Sequence, residues 1–376
     1  MYDVVVIGAG IAGLMAAKQL NCLVIDSRKK IGLPLRCGEG IRTKGFKELF
    51  QHTDYPFVEN ECKKLDVVVG KSKRTFDLSY IMLNRPKFEQ WLANGLNIQL
   101  ETFCKDLVEH ETHLEILTNK GSIEAKYVVL AYGIHYGIQK KFKLLSQPPC
   151  LVPCVGGLFK GAKSDNLSFF FDPSTYSCSW SFPKGSLVNA GIGIFPFSDL
   201  NIKDVFYDSL DKFSIRLEGK LSFGGSFPTT GPIKKTYTNR MLVCGDAAGL
   251  TCAGTGEGIY LALKSGKLAA ETISGVLNNK CKMRDYELAW KASLGNTLKC
   301  SIMATTAIVL GFSNRKFEKY FNIPSNQLAE TLMDDSPPPF KVRLAYQLIR
   351  IVLFFKIKDK KIKKMLRLMH ASYKRL

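Results

Sequence analysis

Two glycine-dense segments stand far apart in the chain, each between an apolar run and a helix-forming run. The first is Gly8-Ala9-Gly10-Ile11-Ala12-Gly13. The second is Gly245-Asp246-Ala247-Ala248-Gly249 with Gly254-Thr255-Gly256-Glu257-Gly258 close behind. One G-x-G-x-x-G is a weak signal, but two segments placed to hold opposite ends of a single dinucleotide are hard to reach by chance. Val4-Val5-Val6-Ile7, which begins almost at Met1 without a basic leader, reads as a strand buried on both faces of a parallel sheet and not as a signal peptide. Residues 14–20 are good helix formers, and a second buried strand at 22–25 ends on Asp26.

In this strand–turn–helix context Gly8 permits the tight turn, Gly10 lets backbone approach a pyrophosphate, and Gly13 lets the helix pack close to the sheet. The phosphates are expected at the helix N-terminus, where unpaired N–H groups favour negative charge. Asp26 falls near the spacing, roughly 20 residues on, of the acid that binds free ribose hydroxyls in FAD or NAD. Only residues 14–21 are available for the helix, which predicts a length of roughly 12 Å at ~1.5 Å per residue. A glycine turn in an unrelated α/β protein is the alternative for this motif taken alone.

At the second motif the strand 241–244 ends in Gly245 and Asp246, whose carboxylate suits ribityl or ribose hydroxyls. A helix over 258–277 follows, with Ala262, Ser265, Gly266, Ala269 and Ala270 along it. Together the motifs point to an FAD-binding flavoprotein of α/β (α+β) class, with a Rossmann-like parallel sheet assembled from distant parts of the chain. The FAD-binding domain is expected over 1–75, 118–143 and 239–282, with a connecting helix and strands over 76–117, including a helix at 86–93. The texture of 144–238, short runs rich in Phe, Ser, Gly and Thr broken by turns such as Asp172-Pro173 and Pro183-Lys184-Gly185, predicts an inserted antiparallel-sheet substrate domain. Residues 283–376 read as a helical, basic region interrupted at 334–339 by three consecutive prolines.

The chain of 376 residues carries a net charge of +20, which suits an anionic partner or simply a soluble lysine-rich surface. Its longest apolar stretches, 302–312 and 349–355, fall short of the ~20 residues that cross a bilayer. A cytoplasmic protein, peripheral on the membrane face, is the expectation. Eleven cysteines and five scattered histidines, without any C-x-x-C pair, predict no metal site. The cysteines read mostly as small packed hydrophobes, with one or two disulfides as an alternative.

The Gly-Asp-Ala-Ala-Gly segment resembles the FAD-dependent group that includes aromatic hydroxylases, flavin halogenases and geranylgeranyl reductases. Gly32-Leu33-Pro34-Leu35-Arg36-Cys37-Gly38-Glu39-Gly40, Leu83-Asn84-Arg85-Pro86-Lys87-Phe88 and Gly254-Thr255-Gly256-Glu257-Gly258-Ile259 narrow the resemblance to the geranylgeranyl reductases. The likeness is in particular to the archaeal enzymes that saturate isoprenoid chains of ether phospholipids, and it spans roughly residues 4–277. It implies FAD contacts at Ala12, Asp26, Cys37, Gly38, Gly40, Arg85, Asp246, Gly258 and Ile259, with Arg36, Gly245 and Gly256 in the same segments. It also implies a backbone contact at the adenine end near Cys104. Arg85 has its own rationale as a cation beside a pyrophosphate.

Two departures stand out. Tyr132-Gly133 occupies the place of the Asp-Gly usual in the hydroxylase branch. The family's substrate motif P-x-x-Y-x-W-x-F-P is answered by Trp180, Phe182 and Pro183, but Cys178 takes the tyrosine's place and Tyr176 comes two residues earlier. Residues two apart on a strand share a face, so Tyr176, Cys178, Trp180 and Phe182 are expected to line one surface, as a substrate wall or as core packing.

For the chemistry that the resemblance implies, reduced flavin is expected to supply hydride, and the π faces of Trp180 and Tyr176 to stabilise developing positive charge. Cys37 is a proton donor, a redox-active thiol or a packing residue, and a water held by Tyr176 is an equal proton source. An isoprenoid phospholipid substrate, an external electron donor and an anionic membrane surface under the basic amphipathic stretch 345–369 are the implied partners. No nucleic acid is expected, because the basic residues are terminal and lysine-dominated. A flavin monooxygenase or halogenase, and a non-catalytic membrane-associated flavoprotein, are the competing classes.

Overall fold

Buried β-branched runs from distant parts of the chain meet in one parallel layer. In the computed structural model, which describes residues 1–161, 164–313, 343, 346–347 and 357–376, β1 (Tyr2–Ile7) is flanked by β2 (Leu23–Ile25) and β11 (Gly121–Leu130), both parallel to it. β8 (Asn97–Gln99) extends this sheet beyond β2. The long β11 pairs with β10 (Leu114–Thr118) along its first half and with β18 (Met241–Val243), in parallel, at its end; β9 (Cys104–Glu109) closes that edge. Val5, Val6, Val128, Val129, Leu242 and Val243 are wholly buried, as strands covered on both faces require.

The cover on the site side is made by α1 (Ile11–Ala17) and α6 (Ile259–Leu277), which pack on each other. Every residue of α1 is buried. The helix starts earlier and ends sooner than the sequence predicts, at seven residues, because Gly10 already caps it and the chain turns at 18–20 to enter β2. Its closeness to α6 depends on Gly266, where an added Cβ would drive into the carbonyl oxygen of Ala12.

A second sheet runs in the order β16 (Leu217–Glu218), β12 (Leu151–Gly161), β15 (Leu187–Ile194), β14 (Ser177–Lys184), β13 (Leu167–Asp172), β5 (Leu65–Val69) and β6 (Ser72–Phe76), with β17 (Phe223–Pro228) also on β12. The insert is thus largely antiparallel, as its texture predicts, but β5 joins β13 in parallel. The segment assignment needs two corrections. β5 and β6 belong to this sheet and not to the first one, because their hairpin hydrogen-bonds to β13. β8, β9 and β10 belong to the first sheet and not to a separate connection. A small sheet of β3 (Gly40–Arg42), β7 (Tyr80–Leu83) and β4 (Val58–Cys62) bridges the two halves. Beside it, α3 (Arg85–Ala93) is capped by Asn84, whose side chain accepts from Lys87 N, and carries Pro86 in its first turn.

Among the described residues the remaining helices are α2 (Thr43–Leu49), α4 (Gly137–Lys141), α5 (Ile202–Lys212), α7 (Asp285–Ser313) and α8 (Lys360–Arg375). α8 is amphipathic, but its apolar side is not free to enter a bilayer: Ile362, Met365, Leu366 and Met369 are buried in the protein, while Lys358, Lys360, Lys361, Lys364 and Arg367 face solvent. The rest of the predicted amphipathic stretch, 345 and 348–356, and the prolines of 334–339 lie outside the described residues. All eleven cysteines are free thiols.

The α1–α6 contact gives a direct test. Gly266→Val should destabilise the protein by about 3 kcal/mol, the upper range for overpacking, measured by chemical denaturation, whereas Gly295→Ala, inside α7 with open space around it, should stabilise it by up to about 1 kcal/mol.

Candidate functional site

One cavity of about 610 Å³ begins at the first glycine turn and ends against the second sheet, within the range of small-molecule sites. At the glycine-turn end Gly8 holds φ +104°, a conformation that L side chains rarely adopt, and an added Cβ would lie 2.5 Å from Ala131 O. Gly10 and Ala12 line the cavity; Gly13 does not, and instead lets α1 sit on the turn. Asp26, Thr102, Phe103 and Cys104 form the far wall of this end.

Asp26 is less free than its place in the motif implies. Its carboxylate accepts from Ala9 N at 2.6 Å and from Arg28 N and Nε at 2.7 and 2.9 Å. Arg28 passes the charge on to Glu89 at 3.0 Å, and Glu89 binds Arg85 at 2.5 Å. An unbroken chain of opposite charges therefore runs from the end of β2 to the start of α3. Arg85 also points Nη1 at Cys37 Sγ, 3.2 Å away, and its buried Nε has no hydrogen-bond partner among the described residues. A buried guanidinium nitrogen left over by the protein's own acceptors is the donor an anionic ligand requires.

Midway along the cavity, residues 37–40 from one side meet 256–259 from the other. Burial pushes the Cys37 thiol above its ordinary value, against the pull of the Arg85 charge. Glu39 adopts φ +69° and is wholly buried, facing Lys184, Asn189 Nδ2 at 3.0 Å and Arg85 N at 3.0 Å. Opposite, Asp246 stands beside Gly245 on the 3₁₀ turn after β18, held by the Thr251 hydroxyl at 2.6 Å. Burial raises its carboxyl above the usual range, with Thr251 and Arg85 pulling it back. Gly258 and Ile259 open α6 at the same level.

The inner end is apolar and aromatic: Trp180 and Phe182 of β14, Phe169 of β13, Cys154 of β12 and Phe223 and Phe227 of β17. Each of three rings rests on a bare α-carbon. An added Cβ at Gly38 would lie 3.0 Å from the Phe182 ring and one at Gly256 2.9 Å from the Phe227 ring, while one at Gly191 would enter the indole of Trp180. The phenol here is Tyr80, which donates to Glu257 at 2.6 Å; Arg42 approaches the same carboxylate at 3.7 Å.

Tyr176 is not part of this wall. β14 begins at Ser177, paired with Asp172, so Tyr176 falls in the hairpin loop at φ +57° and its ring packs on Phe197 and Phe312, 5.2 and 6.1 Å between centroids. Cys178 and Pro183 also lie off the cavity, Cys178 in the core behind it and Pro183 with its carbonyl accepting from Asn60. Of the expected substrate residues, Trp180 and Phe182 line the cavity. Arg36, Gly40 and Gly245 line it as well. Sequence reasoning missed Arg28, Glu89, Tyr80, Phe223 and Phe227, whose roles arise only from pairing across the chain. Glu39 and Glu257 were inside the motifs, and an acid between two glycines was the available signal.

No family model matches the chain. The curated digeranylgeranylglycerophospholipid reductase 2 of Methanothermobacter thermautotrophicus is 30% identical over 340 residues, covering 80% of this chain and 86% of that protein. The chain belongs to the digeranylgeranylglycerophospholipid reductase family. Among solved structures, a geranylgeranyl bacteriochlorophyll reductase-like protein from Thermoplasma acidophilum superposes with a TM-score of 0.72 at 20% identity, covering 98% of this chain and 99% of that one. The halogenase PltM, solved in complex with FAD, superposes at 0.67 with 11% identity over 100% of this chain and 95% of that one. These likenesses establish the flavoprotein fold, and the reductase family is where the Cys-Gly-Glu-Gly and Gly-Thr-Gly-Glu-Gly-Ile segments of this chain were expected to lie.

Asp246 supplies a stability test. A carboxyl whose folded pKa is raised is neutral in both states at low pH and costs the fold progressively as pH rises through the raised value. Asp246→Asn removes that cost, so the ligand-free variant should be more stable by about 1 kcal/mol at pH 7 and no more stable at about pH 4, read from urea midpoints.

Proposed function

We propose that the chain is an FAD-dependent reductase that saturates carbon–carbon double bonds in the geranylgeranyl chains of isoprenoid glycerophospholipids. The observation that carries this reading is the continuity of one cavity from the glycine turn after β1, past Cys37 and Asp246, to the aromatic end under β14 and β17. FAD fits the polar part by the chemistry of its donors and acceptors. Residues 10–12 and the unused Nε of Arg85 would hold the pyrophosphate, Asp26 and Cys104 the adenosine end, and Asp246 the ribityl hydroxyls. Residues 37–40 and 256–259 would hold the flavin ring. Reduced FAD supplies hydride when bound there.

The protein's own residues do the rest. An isolated trisubstituted alkene has no carbonyl to polarise it, so the site must exclude water and favour positive charge as it develops. Phe169, Phe182 and Phe227 form a dry wall, and the Trp180 face offers π density to a nearby cation. Cys37, kept protonated by burial, holds a proton at Sγ on the flavin side. Tyr80 holds one at its hydroxyl, directed at Glu257. Electrons come from an external donor in this reading, and the dinucleotide half and the antiparallel half act as cofactor and substrate domains. The exposed lysines of α8 meet an anionic membrane by charge alone, since its apolar face is spent within the protein.

Protein reduced with dithionite under anaerobic conditions should add two hydrogens per double bond to a geranylgeranyl phospholipid, read by mass spectrometry; unchanged lipid beside a reducible flavin overturns the reading, and oxygen-dependent product would favour a monooxygenase. Trp180→Ala should lower kcat/KM by about 10- to 100-fold, ~1.4–2.7 kcal/mol, while Tyr176→Phe stays within about twofold; equal losses would return Tyr176 to the site. Binding to anionic vesicles should be strong at low salt and largely lost at about 0.5 M, where screening shortens to a few ångströms, and Lys360→Glu with Lys364→Glu should weaken it at every salt concentration.

A further inference from the structure

Behind the cavity wall one side chain ties the two halves of the site together. Asn189 of β15, wholly buried, donates from Nδ2 to the Cys37 carbonyl at 2.9 Å and to Glu39 Oε2 at 3.0 Å, and its Oδ1 accepts from Trp180 Nε1 at 3.0 Å. Chemistry decides the orientation of this amide. An indole N–H can only donate, and a carbonyl or an ionised carboxylate can only accept, so a single arrangement satisfies all three partners. The acceptor side is itself anchored. Glu39 takes the Arg85 backbone N–H on Oε1 and the Lys184 ammonium on Oε2, and the Lys184 charge balances the buried carboxylate. The indole is held from a second direction by the bare α-carbon of Gly191 against its ring.

From this geometry we infer that Asn189 is a positioning residue for the reduction: it sets the angle of the Trp180 ring over residues 37–40, with the Glu39–Lys184 pair as its anchor. The inference rests on the proposed reductase function and adds to it a residue that touches neither cofactor nor lipid. Only an amide offers two donors and an acceptor at this place. Leucine, of nearly the same size, offers neither. Aspartate offers a conditional substitute. In its neutral form the carboxyl can donate to the Cys37 carbonyl and accept from the indole; ionised, it has no donor and confronts Glu39 with like charge. The charged and titratable groups facing position 189 are Cys37 and Glu39 from the flavin-side segment, Lys184 from β14 and, beyond Glu39, Arg85 from α3. Burial and Glu39 favour the neutral form of an aspartate there, and Lys184 opposes them.

The test uses the FAD-loaded full chain as parent, Asn189→Leu and Asn189→Asp. Asn189→Leu should lose kcat by about tenfold or more at every pH, while KM for a geranylgeranyl phospholipid and the Kd for FAD stay within about threefold. Asn189→Asp should match that loss at about pH 8 and return to within about threefold of the parent's kcat as pH falls to about 5.5. Flavin fluorescence of the loaded protein without lipid, which reads the indole beside the ring, should follow a titration in Asn189→Asp and stay flat across that range in the parent. An undiminished kcat in Asn189→Leu, or a loss in Asn189→Asp that ignores pH, overturns the inference. If the parent leaves the lipid unreduced, the reductase reading fails on its own. The fluorescence then still decides the residue's role: a titrating signal confined to Asn189→Asp upholds the Asn189 link, and a signal like the parent's rejects it.

Discussion

The approach of α6 to α1 at Gly266 and Ala12 is the constraint on which the molecule depends. It brings the second glycine segment, encoded far downstream, against the first, so that Asp246 and Gly10 open into the same cavity. A helix pair separated by ordinary side chains would sit some 8–10 Å apart between axes. Here a helix with no side chain at the crossing lets backbone meet backbone. The parallel sheet follows the same logic: β18 adds to β11 in register and delivers the turn at Gly245 beside the turn at Gly8.

Charge within the site is organised so that almost every buried ion has a partner. Asp26, Arg28, Glu89 and Arg85 alternate in sign along the polar end, and Glu39 with Lys184 closes the series behind the aromatic end. Breaking such a series leaves an uncompensated charge in a dry place, which is far more costly than the pair is stabilising. The arrangement fixes residues 37–40 in a backbone conformation that Glu39 would not otherwise adopt, with φ +69°. Strain at this point is offset by three donors to one carboxylate, and the donors come from α3, β14 and β15 together.

How much of this was legible in the sequence follows from how local each requirement is. Gly8, Asp26, Asp246 and Gly258 announce themselves because turn, strand end and helix start are neighbours in the chain. The antiparallel character of the insert was legible for the same reason. The destination of the β5–β6 hairpin was not, since its alternation would suit any sheet edge and only β13 selects it. Tyr176 misled because a period of two places it on the wall only if the strand has already begun, and the loop between Asp172 and Ser177 uses it in a left-handed turn instead. Lys184 and Asn189 carry no local signal at all; their partner lies in a segment encoded long before them.

The rings of Trp180, Phe182 and Phe227 each rest on a residue that has no side chain. For Phe182 and Phe227 that residue, Gly38 or Gly256, lines the cavity itself, but for Trp180 it is Gly191, which stands off it. A single methyl group at position 191 would displace the indole, with every cavity-lining residue unchanged in identity. The shape of the aromatic end can thus drift through a position that does not itself line the cavity.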